Sequence, residues 1–185
     1  MSPSGRNSAF ANSGLVTEVR LEDFAHLREE WGELAGLRYQ QLFEELARQH
    51  SGDRQVAPAQ RVSDFVYGRE SRSLPRTSYI PGLTASRLDR WMPEEIGARL
   101  RSGIATFGKK MKGFVSDEAI VVGVESRTST PVRIPRDPET LMHTQVEGLF
   151  PAGEGAGYAG GIVSAALDGE RIADAVARYC KAHNY

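Results

Sequence analysis

Cysteine is nearly missing from this chain: Cys180 stands alone among 185 residues. A single thiol excludes an internal disulfide framework and any CxxC redox or zinc motif. Its place on the apolar side of a C-terminal helical pattern reads as a packed thiol. Lysine is confined to positions 109, 110, 112 and 181, so nearly all cationic side chains are arginines. The cluster Lys109-Lys110-Met111-Lys112 reads as the cationic end of a helix. A net charge of -1 argues against a partner that binds through bulk electrostatics, which excludes nucleic acid and membrane surfaces as default ligands. The longest apolar run, Ala119 to Val124, falls far short of the ~20 residues of a membrane span, and no secretory leader pattern is visible. A cytoplasmic protein is the expectation. His26, His50, His143 and His183 lack metal-ligand spacing, so no metal site is expected. With no Ser–His–Asp or H-E-x-x-H arrangement either, hydrolase and metalloenzyme chemistry have no support.

The remaining composition, 40% apolar and 25% charged, is ordinary for a globular chain. Leu15-Val16-Thr17-Glu18-Val19 alternates and predicts a strand. Glu22 to Gln49 reads as helix, with Leu27, Trp31, Leu34, Arg38, Leu42 and Leu46 along one face and a bend or split at Gly32 and Gly36. From Val56 to Pro81 no period is sustained, which predicts a long ordered loop. In it, Gln60 and Arg61 serve either a substrate pocket or loop hydrogen bonds. Thr84 is expected to cap a short helix toward Trp91. Pro93-Glu94-Glu95 opens another, with Ile96, Leu100, Ile104, Phe107 and Met111 as its apolar stripe. Ala119 to Val124 reads as a buried strand, and Val132-Arg133-Ile134 as a second extended piece. Strands and helices mix without regular βαβ alternation, which favours an α+β class.

The most informative stretch is Leu149 to Ile162, a glycine-dense turn feeding an Ala-rich helical pattern that ends near Cys180. Glycines let backbone N–H groups approach a ligand, and the following helix N-terminus carries partial positive charge. Gly155-Ala156-Gly157-Tyr158-Ala159-Gly160 satisfies the letter of G-x-G-x-x-G. A dinucleotide fold also needs a second parallel strand ending in an acid about 20 residues on. Here Glu170 and Asp174 sit inside one helix that consumes the rest of the chain, so a free-standing NAD-binding domain is disfavoured. The pattern predicts a strand ending near Phe150 and a helix starting within a few residues of Gly160.

The segments Val124 to Ile134 and Gly148 to Ile162, with Asn12 to Val16, Ala57 to Phe65 and Lys112-Gly113-Phe114, resemble the C-terminal region of a bacterial family of FAD-dependent, dehydrogenase-like flavoproteins. The resemblance runs from about Phe10 to the end. It implies an FAD cofactor, oxidoreductase activity in the full-length protein, and an α/β flavoprotein fragment. In that fragment residues 10–145 form a substrate-type lobe. Residues 146–185 form the C-terminal strand, glycine loop and helix of an FAD-binding domain. Residues 1–8 are polar and too short for the N-terminal Rossmann βαβ of longer flavoproteins, so the chain is expected to be the C-terminal part of one, inactive by itself and prone to self-association. A truncated non-enzymatic remnant or interaction module is the alternative.

On this reading Gly153, Glu154, Gly155, Gly157, Tyr158, Ala159, Gly160, Gly161 and Ile162 contact the cofactor. The resemblance implies that Glu154 hydrogen-bonds a cofactor hydroxyl; otherwise it accepts loop N–H groups or complements the helix dipole. Gly160-Gly161-Ile162 either aim N–H groups at the flavin pyrimidine edge or only permit close packing. Tyr158 covers the cofactor or packs. Arg127, Thr128, Ser129 and Arg133 are flavin or substrate contacts, the arginines fixing a carboxylate or a flavin carbonyl, unless they pair with Glu125 or Asp137. No residue is assigned to catalysis, and the substrate is open.

Overall fold

In a computed structural model of the chain, residues 7, 9–52 and 55–184 are described. The class is α+β: a small three-stranded sheet accompanied by helices. Contacts divide the chain into two units. Among the described residues, the first joins those through Asp23 to those between Gln41 and Ser126, and the second joins Phe24–Gln40 to those from Arg127 onward.

In the first unit β1 (Ala57–Arg61) is the central strand. It pairs in parallel with β2 (Leu83–Ala85) and antiparallel with β3 (Ile120–Val122). Pro58 can occupy this strand because the β3 register begins one residue later, at Ala59↔Val122. The carbonyl of Pro58 still accepts the Gly123 N–H at 3.0 Å, so only the missing proline donor is lost to the ladder. Helix α3 (Val62–Tyr67) follows at once and ends on Gly68, whose φ of 66° is the left-handed stop that glycine accommodates. A strand and a helix thus occupy the first part of the expected Val56–Pro81 loop. Five- and six-residue elements are too short to impose a period, and Pro58 disguises the strand.

Helix α4 (Leu88–Trp91) is one turn. Thr84 lies in β2 and does not cap it; the turn follows Arg87. Helix α5 (Glu94–Lys110) begins after Pro93, with Glu94 and Glu95 in its first turn and Lys109 and Lys110 in its last, each sign complementing the helix dipole. Ile96 and Ile104 are buried as the stripe requires, whereas Phe107 and Met111 are largely exposed. Val62, Phe65, Leu88, Met92 and Ile104 form the core, with Phe43, Leu100, Val121 and Val124 packed around it. β3 is shorter and less buried than the 119–124 run suggests, because it is an edge strand with Val122 exposed.

Most buried polar side chains of this unit are paired, the Arg101 Nε being left without a hydrogen bond. Gln60 is fully buried. Its amide nitrogen donates to the Arg69 carbonyl and to Asp89 Oδ1, both at 2.7 Å, and its oxygen accepts the Asp89 N–H. Arg61 donates to the carbonyl and hydroxyl of Ser73. Both residues therefore serve the loop-bonding alternative. Leu15–Val19 forms no strand; the Glu18 carbonyl instead accepts from Arg99, whose fork also grips Asp23. Alternation alone makes a strand only where an unpaired sheet edge receives it.

In the segment 21–49 the expected helix is broken at Gly32, where φ is 49°. A 3-10 turn (Leu21–Leu27), α1 (Arg28–Trp31) and a second 3-10 turn (Gly32–Leu34) precede α2 (Ala35–Gln49). The buried line of α2 is Ala35, Tyr39 and Ala47 with half-buried Phe43, not Trp31 and Leu34, which are exposed. The break resets the helical phase. At its start the face is small, with Ala35 and Gly36 buried, because the chain comes close there: a Cβ on Gly36 would lie 3.1 Å from the Pro131 side chain.

The second unit is dominated by α6 (Ile162–Ala182). Ile172 and Ala175 are buried with Leu141, and Phe150 and Val176 pack on them. No helix among the described residues is long and apolar enough to cross a membrane.

Replacing Gln60 by leucine leaves the Asp89 N–H and the Arg69 carbonyl without their buried partners. The expected loss is about 2–4 kcal/mol of unfolding free energy, read as a lower denaturant midpoint with an unchanged slope.

Candidate functional site

The strand expected before the glycine turn is itself a turn. His143 Nδ1 accepts the N–H groups of Gln145 and Val146, and the His143 N–H donates to the Leu149 carbonyl at 2.7 Å. Gly148, at φ 74°, completes the reversal. Local bonds from one histidine satisfy this backbone, and the apolar spacing of Val146 and Leu149 is left facing outward, at 48% and 44% exposure. The helix starts where it was expected, at Ile162.

Between them the glycine turn closes on itself. The Gly157 N–H donates to the Glu154 carbonyl at 2.9 Å and the Tyr158 N–H to the Gly153 carbonyl at 3.0 Å. Gly153 and Gly157 have φ of 65° and 84°, which other residues adopt only with strain. A Cβ on Gly157 would also stand 2.8 Å from the Val132 carbonyl oxygen. The Ile134 N–H reaches the Ala156 carbonyl, and the Tyr158 hydroxyl donates to the Ile134 carbonyl. The extended piece Val132–Ile134 is thereby seated against the turn. Arg133 comes with it, its guanidinium 4.3 Å from the Tyr158 ring centre. Arg127, Thr128 and Ser129 are exposed on the stretch just before, where Pro131 packs against Gly36.

The remaining glycines are different. Cβ atoms added at Gly155 or Gly160 would meet nothing within 4 Å, and one at Gly161 only the Ser164 hydroxyl at 3.9 Å. None of the three has a positive φ. Glu154 is exposed. No side chain caps the start of α6, and Ile162, Val163 and Leu167 are 92%, 71% and 57% exposed. The helix end is thus open and carries an apolar flank.

What locks the turn to the helix is a pair that pattern reading passed over. Arg136 Nη1 and Nη2 donate to the two carboxylate oxygens of Asp168 at 3.0 and 2.6 Å, and both side chains are 6% exposed. Arg136 Nη1 also donates to the Pro151 carbonyl at 2.8 Å, and Asp168 Oδ2 accepts the Gly153 N–H at 2.8 Å. The guanidinium lies 3.5 Å from the Tyr158 ring centre. The Arg136 hydrogen bonds hold the Asp168 carboxyl down to about 2 against the opposing effect of burial, helped by the Gly153 N–H and the charge of Arg171. The available signal was a lone carboxylate on the buried line Asp168–Ile172–Ala175 of α6.

Beside this pair lies an open depression of about 600 Å³, with Arg133, Arg171, Tyr158, Pro138 and Leu141 on its walls. Chemically the second unit offers an open helix N-terminus behind a glycine turn, and a cationic hollow with one aromatic wall.

The family of FAD-dependent proteins, in its C-terminal domain-like region, matches residues 1–128. The chain belongs to this family. It is also 41% identical over 176 residues to an uncharacterised protein of Clostridium beijerinckii (strain ATCC 51743 / NCIMB 8052). That match takes in 94% of this chain and 32% of the relative, so the chain spans about a third of the length of the curated relative it matches. The family match ends before the glycine turn. The match to the clostridial protein includes the turn, because Ile162 lies more than twenty residues from Tyr185 and the unmatched remainder is smaller.

Because the folded pKa of Asp168 lies below the ordinary carboxylate value, the pair adds stability above about pH 4 and loses it as pH falls toward about 2. That acid limb is expected to span on the order of 2 kcal/mol. Asp168→Asn should flatten it, and at neutral pH should cost roughly 3–5 kcal/mol by stranding the buried Arg136 charge. Denaturant melts at stepped pH measure both; an acid limb unchanged in the variant would remove the pair from its central role.

Proposed function

We propose that the chain is the C-terminal portion of an FAD-dependent oxidoreductase of the dehydrogenase type, and that it receives the flavin end of FAD. The observation that carries this reading is the division among the glycines. Gly153 and Gly157 are required by the backbone, but Gly155, Gly160 and Gly161 have no such requirement; the first two face open space and Gly161 has only the Ser164 hydroxyl nearby. A missing side chain that the fold does not need is useful where a flat ligand approaches the backbone. Gly160, Gly161 and Ile162 then present amides to the electron-rich pyrimidine edge, where a helix end worth about half a positive charge is favourable. The exposed Glu154 carboxylate accepts from a ribityl hydroxyl, and Ala159 and Tyr158 border the ring. Arg127, Thr128, Ser129 and Arg133 supply donors from the neighbouring stretch.

The residues fit the group in kind: an uncapped helix terminus, an apolar flank at Ile162 and Val163, and backbone donors without crowding. When bound, FAD supplies the hydride or electron transfer. This chain's residues bind, orient and shield it. The reading requires an ADP-binding half of the same protein as partner. It also gives a role to the exposed apolar edge Ile162–Val163–Leu167, which such a partner would cover and which otherwise favours self-association.

The test is a flavin titration of this chain beside the longer in-frame protein, followed by visible flavin absorbance. The longer protein is expected to hold FAD stoichiometrically and this chain much less than one per molecule. Gly155→Ala with Gly160→Ala in the longer protein should shift unfolding by less than about 0.5 kcal/mol while weakening flavin roughly tenfold. Unchanged flavin affinity would remove the turn from the site, and a longer protein without flavin would favour a non-enzymatic interaction module.

A further inference from the structure

We infer that the hollow beside Tyr158 binds a small carboxylate with a compact apolar body. As a statement about binding this stands without the flavin; as the seat of the oxidoreductase's substrate it rests on the reading above.

The charge distribution carries the inference. Three arginines meet one carboxylate around the hollow. Asp168 is consumed by Arg136 through both oxygens, so that pair is neutral and rigid. Neither Arg133 nor Arg171 forms an ion pair within 4 Å of a carboxylate among the described residues, although the charge of Arg171 acts on Asp168 from farther away. With three guanidinium groups and one carboxylate in its lining, the hollow carries an excess of positive charge, which an anion would offset. The stacking of Arg133 over the Tyr158 ring occupies the face of the guanidinium. Its N–H edge is left to form the two-pronged contact that matches a carboxylate.

The rest of the wall specifies the body of the ligand. Leu141 is buried, Pro138 adds a second apolar surface, and Tyr158 is held in place at its hydroxyl by the Ile134 carbonyl. A volume of about 600 Å³ suits a small molecule, not a peptide or polynucleotide. Tyr158 is shared: it belongs to the glycine turn on the chain and to the hollow in space. A carboxylate here would lie next to the turn assigned to the flavin, as a substrate anchored by its acid group must.

Benzoate is the probe, with neutral benzamide and inorganic phosphate in parallel arms. Titration is followed by calorimetry and by the amide signal of Tyr158. Benzoate should bind once per chain and move Tyr158, whereas benzamide should not bind. Arg133→Gln and Arg171→Gln should each weaken benzoate roughly tenfold, the loss of one charge-assisted contact. Both side chains are exposed, so the fold should survive; Arg178→Gln, exposed on the same helix, controls for general charge and should change nothing. Unaltered benzoate affinity in the Arg133/Arg171 double variant overturns the site. Tighter binding of phosphate than of benzoate overturns the carboxylate class. Benzoate binding as expected with no flavin in the longer protein leaves this site standing and removes only the substrate role. Flavin bound with benzoate unbound sinks this inference alone.

Discussion

The Arg136–Asp168 pair is the constraint on which the second unit depends. The apolar core there is small, built on Leu141, Ile172 and Ala175, and cannot by itself hold a glycine turn in one conformation. Burying two charges is costly unless the geometry is good and the remaining lone pairs are used. Here the two-pronged contact, the Pro151 carbonyl and the Gly153 N–H use them. One ion pair therefore ties the segment before the turn, the turn itself and the long helix after it. Tyr158, lying under Arg136, is positioned by the same contact.

The first unit repeats this solution with other residues. Asp89 is gripped by both prongs of Arg87 and by Gln60. Burial raises its carboxyl and these bonds outweigh that, leaving it below the usual range. Arg99 holds Asp23 in the same way. The scarcity of lysine now has a structural sense: a planar fork satisfies both oxygens of a buried carboxylate, and a point-charge ammonium does not.

Much was legible where a local rule acts over enough residues. Pro93-Glu94-Glu95 announced α5, Gly32 announced a break, and the Ala-rich period announced α6 to within two residues of its start. Legibility failed where elements are short or where a competing bond wins. β1 and α3 are too brief for a period, and Leu15–Val19 alternates but meets no sheet edge. The His143 ring bonds the backbone that was expected to form a strand before Phe150. The buried line of α2 runs through Ala35, Tyr39, Phe43 and Ala47 because a break at Gly32 reset the phase, and no periodicity count that spans the break can see it.

The sequence by itself determined the α+β class, the likeness to FAD-dependent flavoproteins and the place of the glycine turn, because these rest on residue types and on spacing within a few turns of chain. Only the tertiary structure decided which glycines the backbone needs and which it leaves free. It alone brought Arg136 to Asp168, thirty-two positions away, and brought Arg133 and Arg171 into the lining of one hollow. Those facts depend on contacts between distant segments. Their geometry is fixed by packing and by paired buried charge, for which the order of residues along the chain carries no local signature.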